Sequence, residues 1–418
     1  MTVSATASSA LDAGAVGRIS DRYDELDWLR TLRSRWWDRA TATPQPTGEE
    51  EEWRRASLDG LPRQAELLLD VPLLETHLPP GASEAGVILC DLRDAVRDHP
   101  ELVQRALGQV DGPASHAHFW ALAHAAWTGG VFCFVPRGVV VDGTLVARQT
   151  LPTSSFAFHP VTLVIAEEDS DLTLLEEVVS PDGDAGWYGG VVDLRAAASS
   201  KVRYANLQQL GDGAWRVGAE RVVVGQDAHV TTLNAEVGSR LTKLGVDVLM
   251  TGKGGTSKVL GILAAGDDQR IDINTVQDLA ADHTTSDLLY LSALYDRAHA
   301  SFYGITNVRH GTKQTSSYQE CRNLLLSSEA GAEPIPVLEI AANDILRCGH
   351  GATAGAIDPT MLFYAQTRGL DADAAERMIV RGFFEQVVTK IQDETIKSRV
   401  LAALARRIGV ADSDEVAA

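Results

Sequence analysis

Cysteine is scarce in this sequence: Cys90, Cys133, Cys321 and Cys348 are the only four in 418 residues, and none forms a CxxC pair. Residues 1–20 also lack the basic start and apolar block of a secretion signal. Together these absences argue against a disulfide-built secreted scaffold and lead us to expect reduced thiols in a soluble, cytoplasmic chain. No apolar run approaches the ~20 residues that a membrane helix needs, so no membrane partner is expected. Positive charge is short as well, with 37 Lys and Arg against 57 Asp and Glu and a net charge of -20. That balance argues against a nucleic-acid partner, because phosphate backbones are held by clustered Lys and Arg. The common enzyme signatures are missing. Gly252–Lys253–Gly254–Gly255–Thr256–Ser257 lacks the spacing of a phosphate loop and reads as a turn between β runs. There is no HExxH helix and no GxSxG elbow.

What is present is an ample apolar fraction, 45%, in a chain long enough for two or three packing units. Residues 1–20 are small and polar and read as a flexible tail. Residues 21–130 read as an N-terminal helical domain. Tyr23, Leu26, Leu29, Leu32 and Trp36 recur at helical spacing, with Asp21 as a candidate cap and Pro44 and Pro46 beyond the end. The acidic run Glu49–Glu52 reads as the solvated start of a helix. A further helix spans about Ser115 to Trp127, closed by Gly129 and Gly130, and Val131–Val141 reads as buried strand broken at Pro136–Arg137–Gly138.

Residues 131–357 are β-rich, and the fold class is mainly β. Four runs starting at Lys201, His229, Ser257 and Ser286 are separated, by subtraction, by 28, 28 and 29 residues. Short strands at a fixed interval mark a solenoid whose coils bury their faces against one another; a two-sheet sandwich is the alternative. From Asp358 the period is helical again. Asp358–Pro359 starts a first helix that Gly369 ends, Asp373–Ile391 is a second, and Glu394–Ile408 a third with Arg406 and Arg407 in its last turn. The expected C-terminal helical domain is therefore 358–410, with a tail at 411–418.

Few side chains point to chemistry. His116, His118 and His124 share a helix but not a face, and read as packed or surface residues. Cys90 and Cys133 sit in apolar runs and read as core, while Cys321 in SSYQECRN is ambiguous. The densest cluster is Arg347–Cys348–Gly349–His350–Gly351–Ala352–Thr353. On an extended strand Cys348 and His350 share one face, and thiolate and imidazole suit iron or sulfur. Arg347 would favour the Cys348 thiolate if it lay close, although strand neighbours point opposite ways. The bland alternative is a small buried Cys348 and a hydrogen-bonded His350. Two ligands are half a tetrahedral set, so a complete site would need other residues or another chain.

Four segments carry a resemblance to the SufB/SufD family of iron–sulfur cluster assembly scaffolds: WTGGVFCFVPRGVVVDG from Trp127, TKQTSSYQECRNLLLS from Thr312, PVLEIAANDILRCGHGATAG from Pro336 and MLFYAQTRGL from Met361. HGAT at His350 and the chain's length are similar to the family's SufD-type branch. The resemblance implies a right-handed parallel β-helix between N-terminal and C-terminal α-helical domains, and a scaffold rather than an enzyme. It further implies a SufB-like partner at the β-helix and a SufC-like ATPase at the C-terminal helices, with a homodimer of the isolated chain left open. His350, with Cys348 beside it, would lie at the cluster-assembly interface and hold metal transiently. Met361, Phe363, Tyr364, Arg368, Phe383 and Phe384 would form the ATPase dock. No tightly bound cofactor is expected in the isolated chain, only a transient iron–sulfur cluster at the partner interface. A homomeric scaffold and a polysaccharide-acting β-helix enzyme are the alternatives.

Overall fold

The computed structural model describes residues 11–69, 73–152, 155–183 and 185–408. Two long sheets form the body. The first contains β1 (Leu73–His77), β4 (Val140–Thr150), β7 (Asp171–Val179), β10 (Lys201–Gln209), β12 (His229–Glu236), β14 (Thr256–Ala265), β16 (Thr285–Leu294), β18 (Lys313–Leu325) and β20 (Asp344–Ala356), hydrogen-bonded in that order. The second contains β2 (Ile88–Asp91), β3 (Gly130–Val135), β6 (Val161–Ala166), β9 (Val191–Ala196), β11 (Trp215–Val224), β13 (Leu241–Met250), β15 (Arg270–Leu279), β17 (His299–Val308) and β19 (Gly331–Ile340). Two short strands, β5 (Ala157–Phe158) and β8 (Trp187–Tyr188), extend its side. From β3 onward the chain alternates between the sheets, and strands β3 to β20 pair with one another in parallel. The body is a parallel β-helix of about eight turns. The solenoid expectation therefore holds, with the two facing sheets as its walls.

The repeat has a local cause. Asp171, Lys201, His229, Thr256, Thr285 and Ser316 stand in register along the first sheet, 27 to 31 residues apart by subtraction. Two residues before each lies a residue with positive φ: Asp169, Ser199, Asp227, Gly254, His283 and Gln314. A left-handed residue turns each coil into its next strand, which is why small polar residues and glycine gather there. The sequence alignment through Ser257 is one residue out, because His229 pairs with Thr256 and Ser257 with Val230. A slip of one residue exchanges inner and outer faces.

The three largest apolar layers among the described residues hold the elements together. One fills the solenoid, with Leu172, Leu174, Val202, Leu194, Val222, Val248 and Ile273 among its members. A second lies outside the second sheet, beneath α1 (Ala13–Arg22), α2 (Asp27–Ala42), α3 (Leu92–Asp98), α4 (Pro100–Ala106) and α5 (Ala117–Ala126). A third lies outside the first sheet, where Leu207, Leu233, Leu260 and Leu291 meet Phe384, Val387, Ile391, Ile396 and Leu404 of the C-terminal helices. Those helices are α6 (Pro359–Thr367), α7 (Ala372–Ile391) and α8 (Glu394–Ile408). Strands covered on both faces need continuous apolar runs rather than alternation, as LLYLSAL in β16 shows.

The N-terminal reading needs correction. Residues 13–20 belong to α1 rather than to a tail; Asp12 caps it by accepting from the Ala15 amide at 2.7 Å, and Val16 and Ile19 are buried. Residues 1–10 and 411–418, where tails are expected, lie outside the described residues, as do 409–410. Asp21 is inside α1, and α2 begins at Asp27 without a side-chain cap. The segment at Glu50–Arg55 is turn rather than helix, and 21–130 also contains β1 and β2, which complete the two sheets. At the other end Asp358 caps α6 through the Thr360 amide at 2.8 Å, and Gly369 follows its end with φ +99.

Candidate functional site

The Cys348–His350 segment lies on β20, the last strand of the first sheet. It pairs on one side with β18, placing Ser317 beside Cys348 and Gln319 beside His350. Ser317, Gln319, Cys321 and Asn323 are all buried, so this row faces the inside of the solenoid. Cys348 and His350 continue that row at the open mouth, where Cys348 is half-buried and His350 exposed. Among the described residues no strand pairs with the other side of β20, and β19 is equally the last strand of its sheet.

Burial pushes the Cys348 thiol pKa up, which disfavours a resting thiolate. Arg347 does not oppose this, because it lies on the outer face with its guanidinium 4.2 Å from the Tyr318 ring centre. Cys90, Cys133 and Cys321 are all pushed up to about 12, mainly by burial. Cys133 and Cys321 are core, resolving the ambiguity at Cys321, whereas Cys90 is only half-buried. His116 and His124 are buried, and burial lowers His124 to about 4. Among the described residues no group of three His, Cys, Asp or Glu is arranged to hold a metal. Cys348 and His350 are thus two donors at an open end.

The sequence reading missed a polar track leading to that mouth. Ser257 Oγ and Ser286 Oγ are 2.6 Å apart, and Ser317 Oγ donates to the Ser286 carbonyl at 2.8 Å. Gln277 Nε2 donates to Ser286 Oγ at 2.8 Å, and Gln319 Nε2 donates to Thr306 Oγ1 at 2.5 Å. The inner rows change from Leu172, Val202 and Val230 in early coils to Ser257, Ser286, Ser317 and Cys348 in later ones. The signal was available as Ser and Gln at coil spacing, but its inward direction depends on register.

The expected docking residues divide. Met361, Phe363 and Tyr364 on α6 are 54%, 67% and 59% exposed, an unusual apolar surface. Arg368 donates to Tyr364 Oη at 3.0 Å beside them. Phe383 is partly buried, with its ring centre 5.6 Å from that of Phe384. Phe384 is 1% exposed and packs against the solenoid, so it is structural and does not belong to that surface. Helical spacing places both phenylalanines on α7 but cannot choose which one the sheet covers.

Residues 149–383 match the sequence model of a family described as SUF system FeS cluster assembly, SufBD core domain. That interval takes in β5 through β20 and most of α7. The chain is also similar to proteins named iron-sulfur cluster assembly SufBD family protein from Staphylococcus saprophyticus, Staphylococcus epidermidis and Staphylococcus haemolyticus. Each is 27% identical over 312 residues, covering 74% of this chain and 67% of the relative.

Proposed function

The chain belongs to the SufBD core family of iron–sulfur cluster assembly proteins, and from that premise we propose that it is a non-catalytic, SufD-type scaffold subunit. It pairs through its open solenoid end with a SufB-like subunit in the cytoplasm. The observation that carries this reading is the unpaired edge of β20, with Cys348 and His350 in the inward row at its mouth. A bare strand edge supplies backbone donors and acceptors for another chain. A partner's side chains would complete a ligand set of which this chain offers a thiol and an imidazole. The iron–sulfur cluster is cargo, built at the interface and passed on.

The exposed Met361, Phe363 and Tyr364 surface, with Arg368, fits docking of a SufC-like ATPase. ATP-dependent association of two ATPase copies would favour one arrangement of the scaffold pair over another, because the ATPase–ATPase contacts exist only there. This chain contributes no phosphate loop to that step.

The test is co-purification with SufB-like and SufC-like proteins, followed by anaerobic reconstitution and a visible absorption spectrum. The wild-type chain should form the complex and build the cluster chromophore. His350→Ala should form the complex and lose most of the chromophore. Normal cluster formation by that variant removes the role given to His350, while failure of the wild-type chain to bind either partner removes the scaffold reading.

A further inference from the structure

A cleft of about 370 Å³ lies between α8 and the first sheet, remote in sequence from the Cys348 segment. Arg148 of β4 and Arg399 and Arg406 of α8 line it, with Glu177 of β7 and Gln209 of β10. Arg399 Nη1 and Arg148 Nη1 stand 3.3 Å and 3.9 Å from the same oxygen, Glu177 Oε2. Arg406 donates instead to the neutral Gln209 side chain. Three guanidiniums therefore face one carboxylate, leaving two positive charges uncompensated in the cleft. That surplus stands out in a chain whose net charge is -20.

Holding α8 against the sheet would require only one arginine on Glu177. All three guanidiniums reach solvent, with the Arg148 and Arg399 side chains 39% and 47% exposed, so an anion can enter among them. Each presents a planar fork of N–H donors matched to phosphate or carboxylate oxygens. We propose that this cleft binds a phosphate monoester dianion, its two negative charges balancing the surplus and its organic body occupying the remaining space. The ligand bridges β4 to α8 and so fastens the C-terminal helices to the solenoid. This inference rests on the cleft alone and is independent of the proposed scaffold role.

Equilibrium dialysis of the full chain at pH 8, where a phosphate monoester carries close to two charges, tests it with radiolabelled ribose 5-phosphate at constant ionic strength. One saturable site per chain is expected, with inorganic phosphate competing and chloride not. The Arg148→Gln/Arg399→Gln pair should weaken binding about tenfold or more. Arg406→Gln should also weaken it, and because that side chain is exposed the variant keeps its fold. Glu177→Gln should tighten binding by removing the competing carboxylate. Absence of saturable binding by the wild-type chain overturns the proposal. So does undiminished binding by Arg406→Gln, or exclusive binding of inorganic phosphate.

Discussion

The two ends of the solenoid are built differently. At the N-terminal end both sheets finish in short antiparallel strands, β1 on β4 and β2 on β3. The second sheet is roofed there by α1 to α5, with Trp36, Trp53, Trp120 and Trp127 buried beneath. At the C-terminal end the sheets stop at β19 and β20, of 10 and 13 residues, with no strand beyond them among the described residues. Ile340 and Leu346 stand 44% and 65% exposed there. Long bare edges invite pairing with other chains, and proteins usually shorten, charge or cover them. This chain shortens and roofs one end and leaves the other long, with the apolar side chains of Ile340 and Leu346 exposed on it. On the scaffold role proposed above, the contrast assigns stability to the first end and association to the second.

The largest effect should come from breaking the closed end. Arg33 is fully buried, donating to Glu25 Oε1 at 2.7 Å and to the Ala125 carbonyl at 3.0 Å, with its guanidinium 4.2 Å from the Trp127 ring centre. Arg33→Ala strands the buried Glu25 carboxylate, and removing one partner of such a pair costs about 3–5 kcal/mol. Urea unfolding should show the loss. A change below about 1 kcal/mol would mean that the roof contributes little and would dissolve the contrast.

A smaller, pH-dependent effect should arise between the ends. Inside the solenoid Arg216 lies among Glu176, Glu220 and Glu236, with Asn206, Asn234, Tyr188 and Tyr204 in the same polar layer. Burial raises Glu220 to about 7, against the pull of Arg216. The folded state therefore keeps a proton that the unfolded chain releases near its ordinary carboxylate range. Stability from this group is fully present below about pH 4.5 and is lost as pH rises through about 7. The change is on the order of 3 kcal/mol for a shift of this size. Asp247, also raised to about 7 by burial, adds to the same window. Urea midpoints measured from pH 4.5 to 7.5 should fall with rising pH, and less steeply in Glu220→Gln. Identical slopes would show that Glu220 titrates as an ordinary carboxyl.

The difference between the ends was only partly legible in the sequence. The coil interval was visible because each coil reuses the same left-handed turn, and those turns draw on Asp, Ser and Gly. Gly254, φ +77, is one such turn residue. Gly261 serves another need: a Cβ there would meet the Tyr290 ring at 2.0 Å, so the small residue in one coil makes room for the large one in the next. The solenoid and its C-terminal helices could therefore be read from local signals. Helix α1 was missed because its few apolar residues are diluted by Gly14, Gly17 and Ser20, although Asp12 followed by Val16 and Ile19 carried a cap and a face. Cys348 and His350 could be placed on one strand face by their spacing. Which face is inward depends on pairing with Ser317 and Gln319, and pairing is a long-range fact. Phe384 shows the same limit, since its burial is decided by strands that precede it by more than 80 residues in the chain.

The smallest effect on stability, and the sharpest test of the contrast, is expected at the open end. Leu346 sits near the start of β20 and is mostly exposed. Leu346→Lys removes no core contact and should change the unfolding free energy by less than about 0.5 kcal/mol, as surface substitutions usually do. A lysine on a bare edge nevertheless opposes strand addition, because pairing would bury its charge against the incoming chain. The variant should therefore unfold like the wild type yet recover less SufB-like partner in co-purification. Equal recovery would place the interface elsewhere and leave the open edge without a role. A large loss of stability would instead show that β20 is held by its own coil more strongly than its exposure implies, and the two ends would then differ in shape but not in function.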